Sequence, residues 1–172
     1  MQKYTNRFAL IHWLHAILIS MALLGGALGL PDLPKEPSSE LESFKMHMIV
    51  GALTFIVLII RIYLVRKEPE LEELNMSEAK KRFVKLIHRL IYIFIGLTAL
   101  SGMATAKSSN LEQVAIFGKD KALYSPTDLT FTFAQIHAIS AYILAALIFI
   151  HIIGVIIYIL QGNRDILKRV WF

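Results

Sequence analysis

The segment AQIHAISAYILAALIFIHIIGVIIYIL carries no Asp, Glu, Lys or Arg and runs to Leu160. Apolar stretches of this length cross a bilayer as helices, so this one commits the chain to a membrane architecture. Two histidines interrupt it, His137 and His151, fourteen residues apart. Fourteen residues advance a helix by about 21 Å and return it to within about 40° of the same face. One stripe therefore presents two imidazoles, one toward each side of the bilayer. An ionisable group inside a membrane is costly, and its default reading is functional. For either residue taken alone, a histidine bonded to a neighbouring helix is the plain alternative.

Three further runs are long enough to span: Phe8 to Leu30, Met46 to Val65 and Leu86 to Ala106, with the fourth from Phe133 to Leu160. The expected fold is an all-α membrane protein, a four-transmembrane-helix up-down bundle forming a single domain over residues 1–172. The first run follows Lys3 and Arg7 and ends near the small-x-small sequence Ala27-Leu28-Gly29, as a secretory signal does. Its length and its histidines, His12 and His15, mark it as a retained helix.

Between the spans, PDLPKEPSSELESFK has three prolines that argue against helix. RKEPELEELNMSEAKKR suits a short surface helix with Ser77 as N-cap ahead of Glu78. The third connection holds an apolar patch, Val114 to Phe117, suited to resting on the membrane surface. Cationic residues set the orientation. Lys3, Arg7, Arg61, Arg66, Lys67, the group from Lys80 to Arg89, Arg164, Lys168 and Arg169 fall on one side; Lys35, Lys45, Lys107, Lys119 and Lys121 fall on the other. By the positive-inside rule both termini are cytoplasmic. The net charge of +5 does not imply a nucleic-acid partner, because the cations flank apolar segments instead of forming one basic face with interleaved aromatics.

Alternating directions sort the histidines by depth. His12, His15, His88 and His151 lie at the inner level, His47 and His137 at the outer. The outer level holds only those two, so a six-coordinate haem there has one bis-histidine choice. At the inner level His151 has three available partners: His12, His15 and His88. Arg61 lies fourteen residues beyond His47, placed to reach a haem propionate or to snorkel to the headgroups. Gly26 and Gly102 lie fourteen beyond His12 and His88; glycine there lets a porphyrin approach the backbone, or serves plain helix packing.

No cysteine is present, which excludes disulfides, thiolate metal sites and iron–sulfur clusters and leaves imidazole as the strong ligand. Two separated ligand levels, with no acid joining them, favour haem over a tetrahedral zinc site. A proton relay would be expected to include Asp or Glu within the spans, and all four runs lack both.

IHWLHA in the first span, KMHMIVG and IIRIYLVR in the second, LIHRLIY in the third, and QIHAISAYILAALIFIH followed by GNRDILKR in the fourth resemble the bacterial cytochrome b561 and nickel-hydrogenase cytochrome b group over nearly the whole chain. The resemblance implies a di-haem protein of the bacterial inner membrane, with His12 and His151 on the inner haem and His47 and His137 on the outer. It places His88 near a quinone site and leaves His15 as a packing or hydrogen-bonding neighbour. Ala9 stands where hydrogenase-type members commonly carry Arg, with Arg7 nearby. Tyr158 stands where superoxide-oxidising members carry a further histidine. Both departures bear on partner and substrate, not on the haem ligands.

Three functions follow from the resemblance: transmembrane electron transfer through two b haems linked to quinone or quinol; oxidation of superoxide at the outer face, with Lys107, Lys119 and Lys121 attracting the anion; and a cytochrome b anchor for a soluble redox partner subunit. A homo-oligomer is compatible with the first two.

Overall fold

The computed structural model describes residues 3–30, 37–68 and 76–171. Four long helices form it: α1 (Asn6–Gly29), α2 (Pro37–Val65), α3 (Glu78–Ser108) and, after the short α4 (Leu111–Ala115), α5 (Asp128–Leu160). Each long helix has the length and apolarity to cross a membrane. No strand occurs among the described residues. The outward faces carry large apolar side chains such as Leu24, Ile56, Ile93 and Phe149, as a bundle solvated by lipid requires.

Local chemistry sets the helix ends. Thr5 caps α1, its hydroxyl accepting from the Phe8 N–H. Thr127 and Thr130 form a reciprocal capping box at the start of α5. Glu78 in the first turn of α3 and Lys107 in its last complement the helix dipole. Gly162, at φ 94°, lies just beyond α5 in a conformation that glycine adopts without strain.

Two connections differ from the sequence expectation. α2 begins at Pro37, well before Met46, because proline at a first helical position gives up an N–H that has no helical partner there anyway. Ser77 does occupy an N-cap position, but of α3 itself: among the described residues no separate surface helix forms, and the basic stretch Lys80 to Lys85 is the first part of α3. Residues 31–36, including Lys35, and 69–75 lie outside the described residues.

The two chain termini meet at one end of the bundle, here termed the near end. Tyr4 N–H donates to the Arg169 carbonyl at 3.1 Å. The Trp13 indole N–H donates to the Val170 carbonyl at 2.8 Å. Thr5 donates from both backbone N–H and hydroxyl to Glu68, at 2.8 and 2.6 Å. At the far end, Leu111, Val114 and Ala115 of α4 are buried, and Leu111 and Ala115 cluster with Phe44 on the early turns of α2. The expected surface patch is thus divided: Val114 and Ala115 face inward, whereas Ile116 and Phe117 are exposed.

Between the ends lies a buried apolar layer of Ile19, Leu58, Ile95 and Leu144. Ile19, Ile95 and Leu144 each stand seven residues beyond a histidine, namely His12, His88 and His137. Seven residues are two helical turns, about 10 Å, so the packed core occupies the middle of the gap between the histidine levels.

Candidate functional site

At the far level His47 and His137 face one another from α2 and α5, with 5.9 Å between ring centroids and 89° between ring planes. Sequence counting paired these two, and the fold brings them together. The His137 Nδ1 lies 2.8 Å from the Thr98 carbonyl oxygen on α3. A carbonyl only accepts, so Nδ1 carries the proton and Nε2 of the neutral ring keeps its lone pair. Ser101, next to this carbonyl, lies closer to the Leu97 oxygen, at 2.7 Å against 3.0 Å. The Thr98 hydroxyl donates to Ser140 at 3.0 Å, and the Ser140 hydroxyl to the His137 carbonyl at 2.9 Å. His47 differs: its Nδ1 is buried with no hydrogen-bond partner among the described residues.

Both far-level rings lie against glycine. A Cβ on Gly26 would stand 3.1 Å from His47 Cε1, and one on Gly102 would stand 2.8 Å from His137 Cε1 and 2.9 Å from its Nδ1. Beside His47 a cleft of about 390 Å³ opens between α1 and α2, walled by Met21, Gly25, Gly29, Met46 and Val50, with Glu42 and Ser43.

The near level is more crowded. His88 and His151 lie 4.9 Å apart between ring centroids, across α3 and α5. His12 is engaged elsewhere, its Nδ1 2.8 Å from Nη2 of Arg61. Guanidinium only donates, so this Nδ1 accepts, and the proton of a neutral His12 ring resides on Nε2. Arg61 does not snorkel. Its guanidinium lies 5.2 Å from the Tyr92 ring and 5.9 Å from the Phe8 ring, and its buried Nε has no partner. His15 is fully buried, and neither of its ring nitrogens finds a hydrogen-bond partner among the described residues. The Thr54 backbone on α2 is its polar neighbour, outside the geometry of a full hydrogen bond.

Helix spacing distinguishes these contacts. Backbones pack most extensively between α3 and α5 and between α1 and α2; α2 also packs on α3, whereas among the described residues neither α1 nor α2 packs extensively on α5. The His47 and His137 rings therefore meet across a wide interval, and the His88 and His151 rings across a narrow one.

Sequence reasoning missed Thr98, Ser140 and Tyr92. A signal existed for the first two: each is a small hydroxyl residue in an apolar span, Ser140 one turn from a histidine and Thr98 one turn from Gly102. For Tyr92 the signal was its place one turn beyond His88.

Neither a curated protein nor a solved structure matches the chain. The family model for prokaryotic cytochrome b561 matches residues 3–172. Four apolar helices and an interior lined with paired imidazoles agree with that match, and the chain belongs to the prokaryotic cytochrome b561 family of membrane b-type cytochromes.

Proposed function

We propose that the protein carries electrons across the membrane through two b haems, one held by His47 and His137 and one by His12 and His151, in exchange with the quinone pool. The near end is the cytoplasmic side in this reading. The observation that carries it is the far-level pair, two partly buried imidazoles opposed across widely spaced helices. Two metal–nitrogen bonds of about 2 Å, with about 1 Å from each nitrogen to its ring centre, separate opposed ring centres by about 6 Å. The separation here is 5.9 Å. His137 also makes the bond typical of a ligating imidazole, Nδ1–H to a backbone carbonyl, which fixes the tautomer with Nε2 free.

At the near level helix spacing favours His12 over His88. His88 is only 4.9 Å from His151 and sits across the most extensively packed helix pair. His12 is on α1, which stands off from α5. Ligation through His12 Nε2 requires its proton to move to Nδ1, and hence Arg61 to release that nitrogen. The guanidinium has no carboxylate partner among the described residues, and a buried cation is stable only when paired. A haem propionate supplies the missing anion within the same cluster.

When bound, haem supplies one-electron redox chemistry whose potential depends on ligands, burial and nearby charge. The chain's own contribution follows from its residues. His12, His47, His137 and His151 hold the two irons; Arg61 orients a propionate and, as a buried positive charge, favours the reduced state. The layer of Ile19, Leu58, Ile95 and Leu144 excludes water between the levels. His88, left without an iron, lies at the near level where a quinone headgroup can be bonded.

Lys107, Lys119 and Lys121 are exposed around the far end, and this observation favours superoxide as a second electron donor. The test is haem stoichiometry by reduced-minus-oxidised spectra, followed by stopped-flow reduction with quinol and with superoxide side by side. Two b haems per chain reduced by quinol support the main reading. Absence of a b-type signal ends both readings, and superoxide reduction no faster than the uncatalysed reaction ends the second. Activity only within a complex with a soluble redox subunit would instead identify an anchor cytochrome.

A further inference from the structure

We propose that Gly102 and the Thr98 carbonyl are positioning elements for His137: the missing side chain at 102 admits the imidazole to the surface of α3, and the carbonyl one turn earlier fixes its tautomer and plane. The inference rests on His137 being a haem ligand. The sequence leaves glycine at this place to porphyrin approach or to plain helix packing; the group lying on it is the His137 ring. A Cβ at 102 would stand 2.8 Å from Cε1 and 2.9 Å from Nδ1, closer than side-chain carbons approach one another, and both atoms belong to the edge that reaches Thr98. Any larger residue therefore pushes away the same edge of the ring that carries the Nδ1–H bond.

The backbone behind the ring is tied down as well. Thr98 donates its hydroxyl to Ser140, which donates to the His137 carbonyl, so α3 holds both ends of this residue. Ser101 places its shorter bond on Leu97, which leaves a lone pair of the Thr98 carbonyl for the imidazole. His47 has no such frame among the described residues: a Cβ on Gly26 would stand 3.1 Å from its Cε1, less close than at Gly102, and its Nδ1 finds no partner. The two ligands of one iron thus differ: His137 is fixed by its neighbours, and His47 adjusts to it. An Nδ1–H bond to a carbonyl makes a ligating imidazole more basic. The frame around His137 consequently lowers the potential of the far-level haem.

The experiment is Gly102→Ala in the full chain, read by redox titration of each haem and by the ferric low-spin EPR signal, which reports the angle between axial ring planes. The expected result is an upward shift of the far-level potential and a changed EPR signal, with the near-level haem unaltered. Gly26→Ala, whose contact is looser, should give a smaller shift. Should Gly102→Ala fail to assemble, proton hyperfine spectroscopy on the unmodified protein decides the matter: one far-level imidazole must carry an Nδ1 proton that exchanges slowly in D2O. A far-level haem present with wild-type potential and EPR in Gly102→Ala, or without the slowly exchanging proton, overturns the positioning role alone. A wild-type protein with no far-level haem overturns the ligand reading and this inference together.

Discussion

The far and near histidine levels use the same residue type, yet His137 on α5 and His12 on α1 are held by opposite means. His137 gives its Nδ1 proton to a backbone carbonyl, whereas His12 accepts on Nδ1 from a guanidinium. The first interaction comes from a fixed helix surface and leaves the Nε2 lone pair free. The second comes from a side-chain cation and puts the proton on the nitrogen that iron needs. The far level is thus organised by backbone shape and the near level by charge. A site of the first kind tolerates little change in volume but is indifferent to neighbouring ions; a site of the second kind behaves the other way round.

The largest effect tests whether the levels are independent. His47→Ala and His137→Ala should each halve the haem content and leave the near-level spectrum intact, whereas His12→Ala should remove the near-level haem and spare the far one. Pyridine haemochrome assays with redox titration read this directly. Loss of both haems from any one of these variants would mean that the two levels assemble as a unit.

Next in size is the packed layer that separates the levels. Leu144→Ala removes a side chain that is 3 % exposed, midway between His137 and His151. Substitutions of this type in tightly packed interiors cost about 2 to 5 kcal/mol. The expected outcome is a lowered unfolding temperature in detergent, with both haems lost in the same proportion on heating. Preferential loss of one haem would show that the layer belongs to that level.

Charge at the near level gives a smaller, one-sided effect. At an effective dielectric of about 20, a unit charge about 8 Å from a redox centre contributes about 2 kcal/mol, or about 90 mV for one electron. Arg61→Gln should lower the near-level potential by that order. At about 21 Å, the separation of the two levels along α5, the same charge contributes under half as much. Equal shifts at both haems would contradict the assignment of Arg61 to the near level.

What the sequence made legible follows the same division. His47 and His137 could be paired by counting because only two histidines reach that depth, and up-down topology follows from four apolar runs with short connections. At the near level, four histidines share one depth, and periodicity does not say which helices stand apart far enough to admit a porphyrin. That depends on side-chain volume along α3 and α5, a tertiary property. The Thr98 contact was illegible for another reason: its acceptor is a backbone carbonyl, which every residue possesses. The start of α2 at Pro37 was missed because proline was read as a breaker, although at a first helical position it is compatible with helix.

The smallest expected effect concerns His15. It is fully buried, and among the described residues neither ring nitrogen makes a well-formed hydrogen bond, the Thr54 backbone being its polar neighbour. A buried polar group left unsatisfied costs about 1 to 3 kcal/mol, so an apolar residue of similar size loses nothing by replacing it. His15→Leu should therefore keep both haems and both potentials, with thermal stability unchanged or raised by about 1 kcal/mol. The variant is also the sharpest probe of the near level, because His15 stands three residues from His12 on the same helix. Three residues turn the helix by about 300°, which directs the two rings about 60° apart. Only one of them can address the partner that His151 addresses. Retention of the near-level haem in His15→Leu, set beside its loss in His12→Ala, would fix the ligand on the ring that Arg61 contacts; loss in His15→Leu would transfer the role to the unbonded imidazole and leave Arg61 bound to a residue that never meets iron.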